Sequence, residues 1–133
     1  MHGVLWQDWT TLRLTGATNT VTQSEPLWLD VDDYRDAVFW LEVKQLSVGG
    51  AVGVLGVYET SPSKDEALFR PMTSAFPLGL TSTPYLTSVL EGQNPSVPLS
   101  KWIRWRLYLA GTPTAEWGAT FRIHCSLNAS RVL

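Results

Sequence analysis

The sequence predicts an all-β protein, a single-domain antiparallel β-sandwich or jelly roll of about eight strands. Several stretches alternate apolar and polar residues with a period of two, which is typical of strands whose two faces have different surroundings. Turn-forming residues recur about every ten residues, and no amphipathic helix of useful length separates them. The chain has 133 residues, enough for one hydrophobic core, so we predict one domain over residues 1–133.

The first third of the chain is expected to supply an N-terminal segment, an acidic turn and a strong strand. Residues 1–25 are predicted to form an N-terminal arm or edge strands that include Trp6 and Trp9. Within them, residues 18–23 are expected to pair back on the preceding strand. An acidic turn or single helical turn at residues 32–36, just after Asp30, leads into the strong strand, residues 37–46.

Glycines in the middle of the chain predict a turn and places where the backbone is closely approached. Gly49-Gly50 predicts a hairpin turn into a strand over residues 52–60. Gly53 and Gly56 lie inside that strand, where a glycine indicates a bulge or the close approach of a ring or backbone. Loops rich in Pro, Ser and Thr follow, with a short strand predicted at residues 85–90.

Residues 100–109 form the most informative stretch. One side of this predicted strand is apolar and belongs in the core. The other side is cationic and aromatic, and consists of Trp102, Arg104, Arg106 and Tyr108. The last predicted strand, residues 117–127, places Arg122 and His124 on its polar side. If these two strands form a hairpin, Arg122 and His124 flank Arg104 and Arg106.

The cationic and aromatic side has three interpretations. It is covered by a loop or by the N-terminal arm, with arginine stacked on tryptophan. Alternatively it is a subunit interface, for which Trp, Tyr and Arg are typical anchors. The third is a ligand platform, on which exposed aromatic rings stack against sugar rings or bases. A carbohydrate-binding module would use Trp102, Tyr108 or, from the strand at residues 37–46, Trp40 for such stacking.

Charge is unevenly distributed along the chain. Residues 1–100 carry 11 acids and 5 bases, whereas residues 101–133 carry five bases and one acid. This asymmetry favours contact between the basic part of one subunit and the acidic part of another. Nucleic acid is disfavoured as a partner because the net charge is −2. No apolar run reaches transmembrane length, so no membrane partner is expected.

Few residues in the sequence suggest a catalytic or metal-binding site. Asp30, Asp32, Asp33 and Asp36 are a candidate calcium site, but the EF-hand spacing is absent and a solvated turn is favoured. Glu42 and Glu59 lie on neighbouring predicted strands, where exposed cross-strand positions explain both. Cys125, the single cysteine, falls on the apolar side of its strand, and neighbouring His124 faces the opposite way. We therefore predict no cofactor and no catalytic activity.

Three features together resemble small β-sandwich virion-associated proteins of tailed bacteriophages and prophages. They are a long strand ending at a Gly turn (37–46), a strand leading into Glu-Thr-Ser-Pro-Ser (59–63), and Trp-Ile-Arg-Trp-Arg-Leu followed by a Gly/Thr/Pro turn and an aromatic strand (102–127). The resemblance implies a decorating or minor capsid subunit and transfers no catalytic residue.

The sequence thus predicts a structural subunit that binds copies of itself or a major capsid-type protein. Its interface candidates are Trp102, Arg104, Arg106, Tyr108, Arg122, His124, Trp6 and Trp9. No signal peptide precedes the first strand, so we expect synthesis in a host cytoplasm and location in a virion. The alternative is a carbohydrate-binding module that uses exposed aromatic side chains.

Overall fold

A computed structural model describes residues 2–15, 18–80, 82–91 and 97–129 of the chain. Two antiparallel sheets pack face to face, which confirms the predicted β-sandwich. The described residues form ten strands instead of about eight, because three two-residue pieces lie between the longer ones. The strands are β1 (His2–Leu14), β2 (Thr20–Thr22), β3 (Leu29–Asp30), β4 (Tyr34–Val48), β5 (Gly53–Ser61), β6 (Arg70–Pro71), β7 (Phe76–Pro77), β8 (Tyr85–Val89), β9 (Trp102–Ala110) and β10 (Trp117–Ala129).

The two sheets draw on distant parts of the chain. Sheet A has four strands in the order β1-β10-β4-β8. Sheet B has the order β2-β9-β5-β6, with β3 also paired to β9 and β7 to β5. The N-terminal residues expected to be an arm or edge strands supply β1 at one edge of sheet A and β2 at one edge of sheet B.

Apolar side chains on alternate positions of the long strands fill the space between the sheets. Trp105 of β9 meets Phe121 of β10 edge-on, with ring centroids 5.0 Å apart. Tyr58 of β5 stacks on Phe39 of β4 at 4.1 Å. Such offset and edge-on contacts between large rings stabilise a core beyond the area they bury. The inward face of β9 is therefore core, as its alternation predicts.

Three predicted strand pairings are wrong. Gly49 and Gly50, with φ of +60° and +77°, do form a turn, but the turn carries the chain from β4 in sheet A to β5 in sheet B. The turn at Gly111 likewise separates β9 from β10, and β2 pairs with β9 instead of β1. Period-two alternation identifies a strand and its buried face, but it carries no information about which strand lies beside it.

The close approach predicted at the strand glycines is confirmed at one of them. A Cβ atom on Gly56 would lie 2.7 Å from Cε2 of Phe76, whereas one on Gly53 would meet nothing within 4 Å. The ring packs over β5 only because position 56 has no side chain.

Two short 3₁₀ turns border the outer face of sheet B. The first covers Glu25–Leu27 and is followed by Trp28. The second covers Glu66–Leu68, is capped by a hydrogen bond from the Ala67 amide to Asp65, and is followed by Phe69. Both aromatic side chains are buried, so these turns fold back onto the sheet.

A buried polar link holds β1 against sheet B. The Gln7 side-chain oxygen accepts hydrogen bonds from Trp105 Nε1 at 3.1 Å and from Gln23 Nε2 at 3.3 Å. Gln7 lies between two register shifts in the pairing of β1 with β10. These irregularities turn an amide side chain into the core, where a polar group needs hydrogen-bond partners.

Candidate functional site

The predicted interface residues lie on opposite sides of the sandwich. Trp102, Arg104, Arg106 and Tyr108 are on the outer face of sheet B. Arg122 and His124 are on the outer face of sheet A. The expectation that Arg122 and His124 flank the β9 arginines is wrong, because β9 and β10 belong to different sheets.

Arg104 is covered by the chain itself. Its guanidinium carbon lies 4.0 Å from the Phe69 ring centroid and 5.2 Å from that of Trp28. Only 7% of the residue is exposed. Arginine stacks favourably on aromatic faces, and such contacts strengthen when water is excluded. The two residues that cover it follow the 3₁₀ turns and do not belong to residues 1–25.

A buried glutamate neutralises much of the positive charge on β9. Glu59 lies directly opposite Arg104 in the β5–β9 register and is 5% exposed, so the expectation of an exposed position is wrong. Its two carboxylate oxygens accept hydrogen bonds from Arg104 Nε at 3.0 Å and Arg106 Nε at 3.1 Å. Arg104 Nη1 has no hydrogen-bond partner and lies 3.7 Å from Glu66 Oε1.

The aromatic rings that flank this ion cluster already contact cations. The ammonium groups of Lys64 and Lys101 lie 4.5 Å and 5.5 Å from the Trp102 ring centroid. The Arg106 guanidinium lies 5.0 Å from the ring of Tyr108. The charged and aromatic side chains on the outer face of β9 therefore already make most of their contacts with residues of the same chain.

The acidic turn uses its carboxylates in local contacts. Asp30 contacts Lys101 Nζ at 3.1 Å, and Asp32 lies 3.9 Å from the same ammonium group. The backbone N–H of Asp32, together with Lys101, lowers the pKa of Asp30. Asp36 accepts a hydrogen bond from the Glu91 amide. Within the described ranges no three Asp, Glu, His or Cys side chains come together as metal ligands.

These ion pairs account for the charge asymmetry within one chain. Lys101 meets Asp30, Arg104 and Arg106 meet Glu59, and Arg122 meets Glu42. In each case a base from the last third of the chain contacts an acid from the first hundred residues, because β9 and β10 lie between earlier strands. Arg131 lies outside the described residues. The uneven charge therefore does not by itself require a second subunit.

The outer face of sheet A carries a second charged and aromatic cluster. Arg122 of β10 binds Glu42 of β4 bidentately, with Nη2 at 2.8 Å and 2.9 Å from the two carboxylate oxygens. Trp9 of β1 lies over this pair, 4.7 Å from the Arg122 guanidinium and 5.0 Å from the Lys44 ammonium. Trp9 remains 39% exposed.

Next to this cluster, one line of side chains crosses the whole sheet. The register places Leu5, His124, Trp40 and Leu86 side by side on β1, β10, β4 and β8; we call these four residues the cross-strand row. Leu5 is 47% exposed and Leu86 is 57% exposed. Leu5 and Leu86 cannot be recognised from the sequence, since both become part of one surface only when four strands are placed in register.

A shallow recess lies on the same face, near the end of β10. Its volume is about 320 Å³, and it is lined by the hydroxyl, amide and guanidinium groups of Thr11, Arg13, Gln45, Ser47 and Thr120. Thr11 and Thr120 share a hydrogen bond of 2.8 Å across β1 and β10. The recess therefore presents hydroxyl and amide groups together with the charged Arg13 guanidinium, and Thr11 on its wall is two residues from the exposed Trp9.

Other candidate residues are buried or separated. Trp6 is 5% exposed and packs against Phe39 and Tyr58, so it contributes to the core and not to a surface. Cys125 is buried as predicted, and burial raises the pKa of its thiol to about 12. Glu42 and Glu59 lie on opposite outer faces of the sandwich, so they do not share a cleft.

No family model, curated protein or solved structure matches the chain. None of the described segments is a helix of the length and hydrophobicity needed to cross a bilayer. The surface geometry is therefore the basis on which a function can be proposed.

Proposed function

We propose that this chain is a non-enzymatic structural subunit that packs against other protein chains through the outer face of sheet A. The most specific form of the proposal is a capsid-associated subunit of a phage head, which the resemblance of residues 37–127 to virion-associated sandwiches suggests. The single observation that supports it best is the cross-strand row, in which exposed Leu5 and Leu86 flank half-buried His124 and Trp40 over all four strands.

The size and composition of this face suit a protein contact. Four strands spaced about 4.8 Å apart give the row a length of about 14 Å. Trp9 lies alongside the row over Arg122, and Trp and Arg are the residues that most often anchor protein interfaces. When a partner covers exposed apolar side chains on a sheet face, their surface is removed from water, which is favourable for binding.

The charges on this face do not oppose docking. Arg122 and Glu42 already neutralise each other, and both are 29% exposed. A partner that covers this ion pair therefore does not have to desolvate an unpaired charge there, which would cost several kcal/mol. An acidic group on the partner would pair with the exposed Lys44 ammonium beside Trp9. The outer face of sheet B contributes less in this proposal, because its arginines are covered or paired within the chain.

Sedimentation of particles from the cell that produces the chain tests this proposal. We expect the tagged chain to co-sediment with a particle visible by electron microscopy. Leu86→Asp should remove it from that fraction, whereas Val52→Asp, at a 92% exposed loop position, should not. Wild-type chain that stays among small proteins, or Leu86→Asp chain that sediments like wild type, would contradict the proposal.

A carbohydrate-binding module is the second candidate, and the recess beside Trp9 is the observation in its favour. Hydroxyl and amide groups such as those of Thr120 and Gln45 hydrogen-bond to sugars. Trp40, which lies further along the same face and does not line the recess, offers a half-buried ring for stacking. This candidate predicts binding on a glycan array that is lost in Trp40→Ala and Gln45→Ala and kept in Trp102→Ala. An array without binding by wild-type protein would eliminate it.

A further inference from the structure

Strand β1 leaves one side of its backbone without a strand partner. It runs for 13 residues along the edge of sheet A, and β10 is the only described strand that pairs with it. The Asp8 carbonyl and the Trp9 N–H already bond to the side chains of Gln7 and Asp8. The other backbone groups on that side have no strand partner among the described residues and are open to a further strand. A long open edge of this kind pairs readily with an extended segment of another chain.

The other described edges are short or contain proline. At the opposite edge of sheet A, β8 has five residues and follows Pro84. In sheet B, β2 has three residues, while β6 and β7 have two each and contain Pro71 and Pro77. Short length and proline both discourage strand addition. Strand β1 is thus the one described edge that neither feature protects, although the register shifts on either side of Gln7 interrupt its regular geometry.

The side chains of β1 also indicate a missing neighbour. Val4, Leu12 and Leu14 point toward the core but are only half-buried. Their partners on β10, which are Cys125, Ala119 and Trp117, are all at most 4% exposed. A further strand beside β1 would cover the open side of these three apolar residues.

We infer that a second copy of this chain adds its own β1 to this edge, antiparallel and about a twofold axis. Two identical strands satisfy each other's backbone groups in this arrangement, and the assembly stops at two copies because the long edge is used up in both. The strand carries only two charged residues besides His2, Asp8 and Arg13. In the full-length register Arg13 lies opposite Gly3, so the one like-charge contact is between the two exposed Asp8 side chains at the twofold axis, where solvent and salt screen it.

Pairing at β1 would join the surfaces described above. Leu5, the end of the cross-strand row, lies on β1, so the rows of both copies would lie on the same face of an eight-stranded sheet, with Leu5 of each copy opposite Thr11 of the other. This inference names a partner for the proposed structural subunit, and it rests on that proposal for the expectation that the chain works in an assembly.

Light scattering during size-exclusion chromatography measures the predicted dimer directly. We expect twice the mass of one chain for wild-type protein. Leu12→Lys, which puts a charge on the half-buried side of β1, should give one chain mass. Thr87→Lys, the matched change on the half-buried side of β8, should stay dimeric. A monomeric wild type, or a Thr87→Lys monomer beside a Leu12→Lys dimer, would overturn the inference.

Cross-linking keeps the inference testable if Leu12→Lys fails to fold. Cys125 is buried, so Gly3→Cys and Arg13→Cys each introduce the only accessible thiol, at opposite ends of β1. After mixing and re-equilibration, a flexible bismaleimide should link Gly3→Cys to Arg13→Cys in several-fold excess over either self-linked product. Self-linked products in excess, or none at all, would overturn an antiparallel β1 dimer.

These results are separable from the particle experiment. A dimer that never enters a particle would refute the proposed function and leave the β1 pairing established. A chain that binds particles, but whose β1 variants still form normal dimers, would refute the β1 pairing and leave the proposed function established.

Discussion

Arg104 shows how much one residue's role depends on its surroundings. Its position in an alternating strand predicts that it faces away from the core, and it does. Its burial comes from Trp28 and Phe69, which lie 76 and 35 positions away in the sequence, and from Glu59 on the neighbouring strand. The arginine is thus part of a buried ion cluster on an outer sheet face.

Removal of the Glu59 charge should destabilise the fold strongly. Glu59→Gln leaves Arg104 and Arg106 without their counterion, and an unpaired buried charge costs about 3 kcal/mol or more. Glu42→Gln is the matched control, since its ion pair is 29% exposed and should be worth about 1 kcal/mol. Urea unfolding measures both. Equal losses would contradict the difference in burial.

The Cys125 thiol should be unreactive in the folded chain. Burial raises its pKa to about 12, so almost no thiolate is present at about pH 8. A colourimetric thiol reagent should therefore react with one thiol per chain only after denaturant is added. Rapid reaction of the native protein would show that the interior of sheet A opens to solvent.

At the scale of elements, the alternation of side chains predicts strands well and their partners poorly. The long strands β4, β5, β9 and β10 lie within one or two residues of the predicted positions at most ends. The hairpins expected at Gly49-Gly50 and after β9 are absent, because in a sandwich a tight turn also serves to change sheets. Glu42 and Arg122 become neighbours only through the β4–β10 register.

The glycine inside β5 provides a test at this scale. Gly56→Ala would bring a Cβ atom to 2.7 Å from the Phe76 ring, and such overpacking should cost about 1–3 kcal/mol. Gly53→Ala, in the same strand with open space around it, should leave stability unchanged or raise it by about 0.5 kcal/mol. Thermal unfolding compares the two variants, and a smaller loss for Gly56→Ala than for Gly53→Ala would refute the packing argument.

At the scale of the whole molecule, the sandwich separates two surfaces that look alike in sequence. Both surfaces carry Trp and Arg side chains, and on both a Glu of the neighbouring strand lies opposite an Arg. Sheet B covers its arginine with two 3₁₀ turns, whereas sheet A leaves Leu5, Trp9 and Leu86 exposed. The sequence predicted the kind of side chain involved, but the choice between these faces depends on turns that fold back in three dimensions.

Oxidative footprinting of the free and the assembled chain tests the choice of face most directly. If sheet A contacts neighbouring chains, Trp9, Trp40 and Leu86 should lose reactivity on assembly, while half-buried Trp102 should keep it. Protection of Trp102 and Tyr108 with unchanged reactivity at Trp40 would place the contact on sheet B and contradict the account.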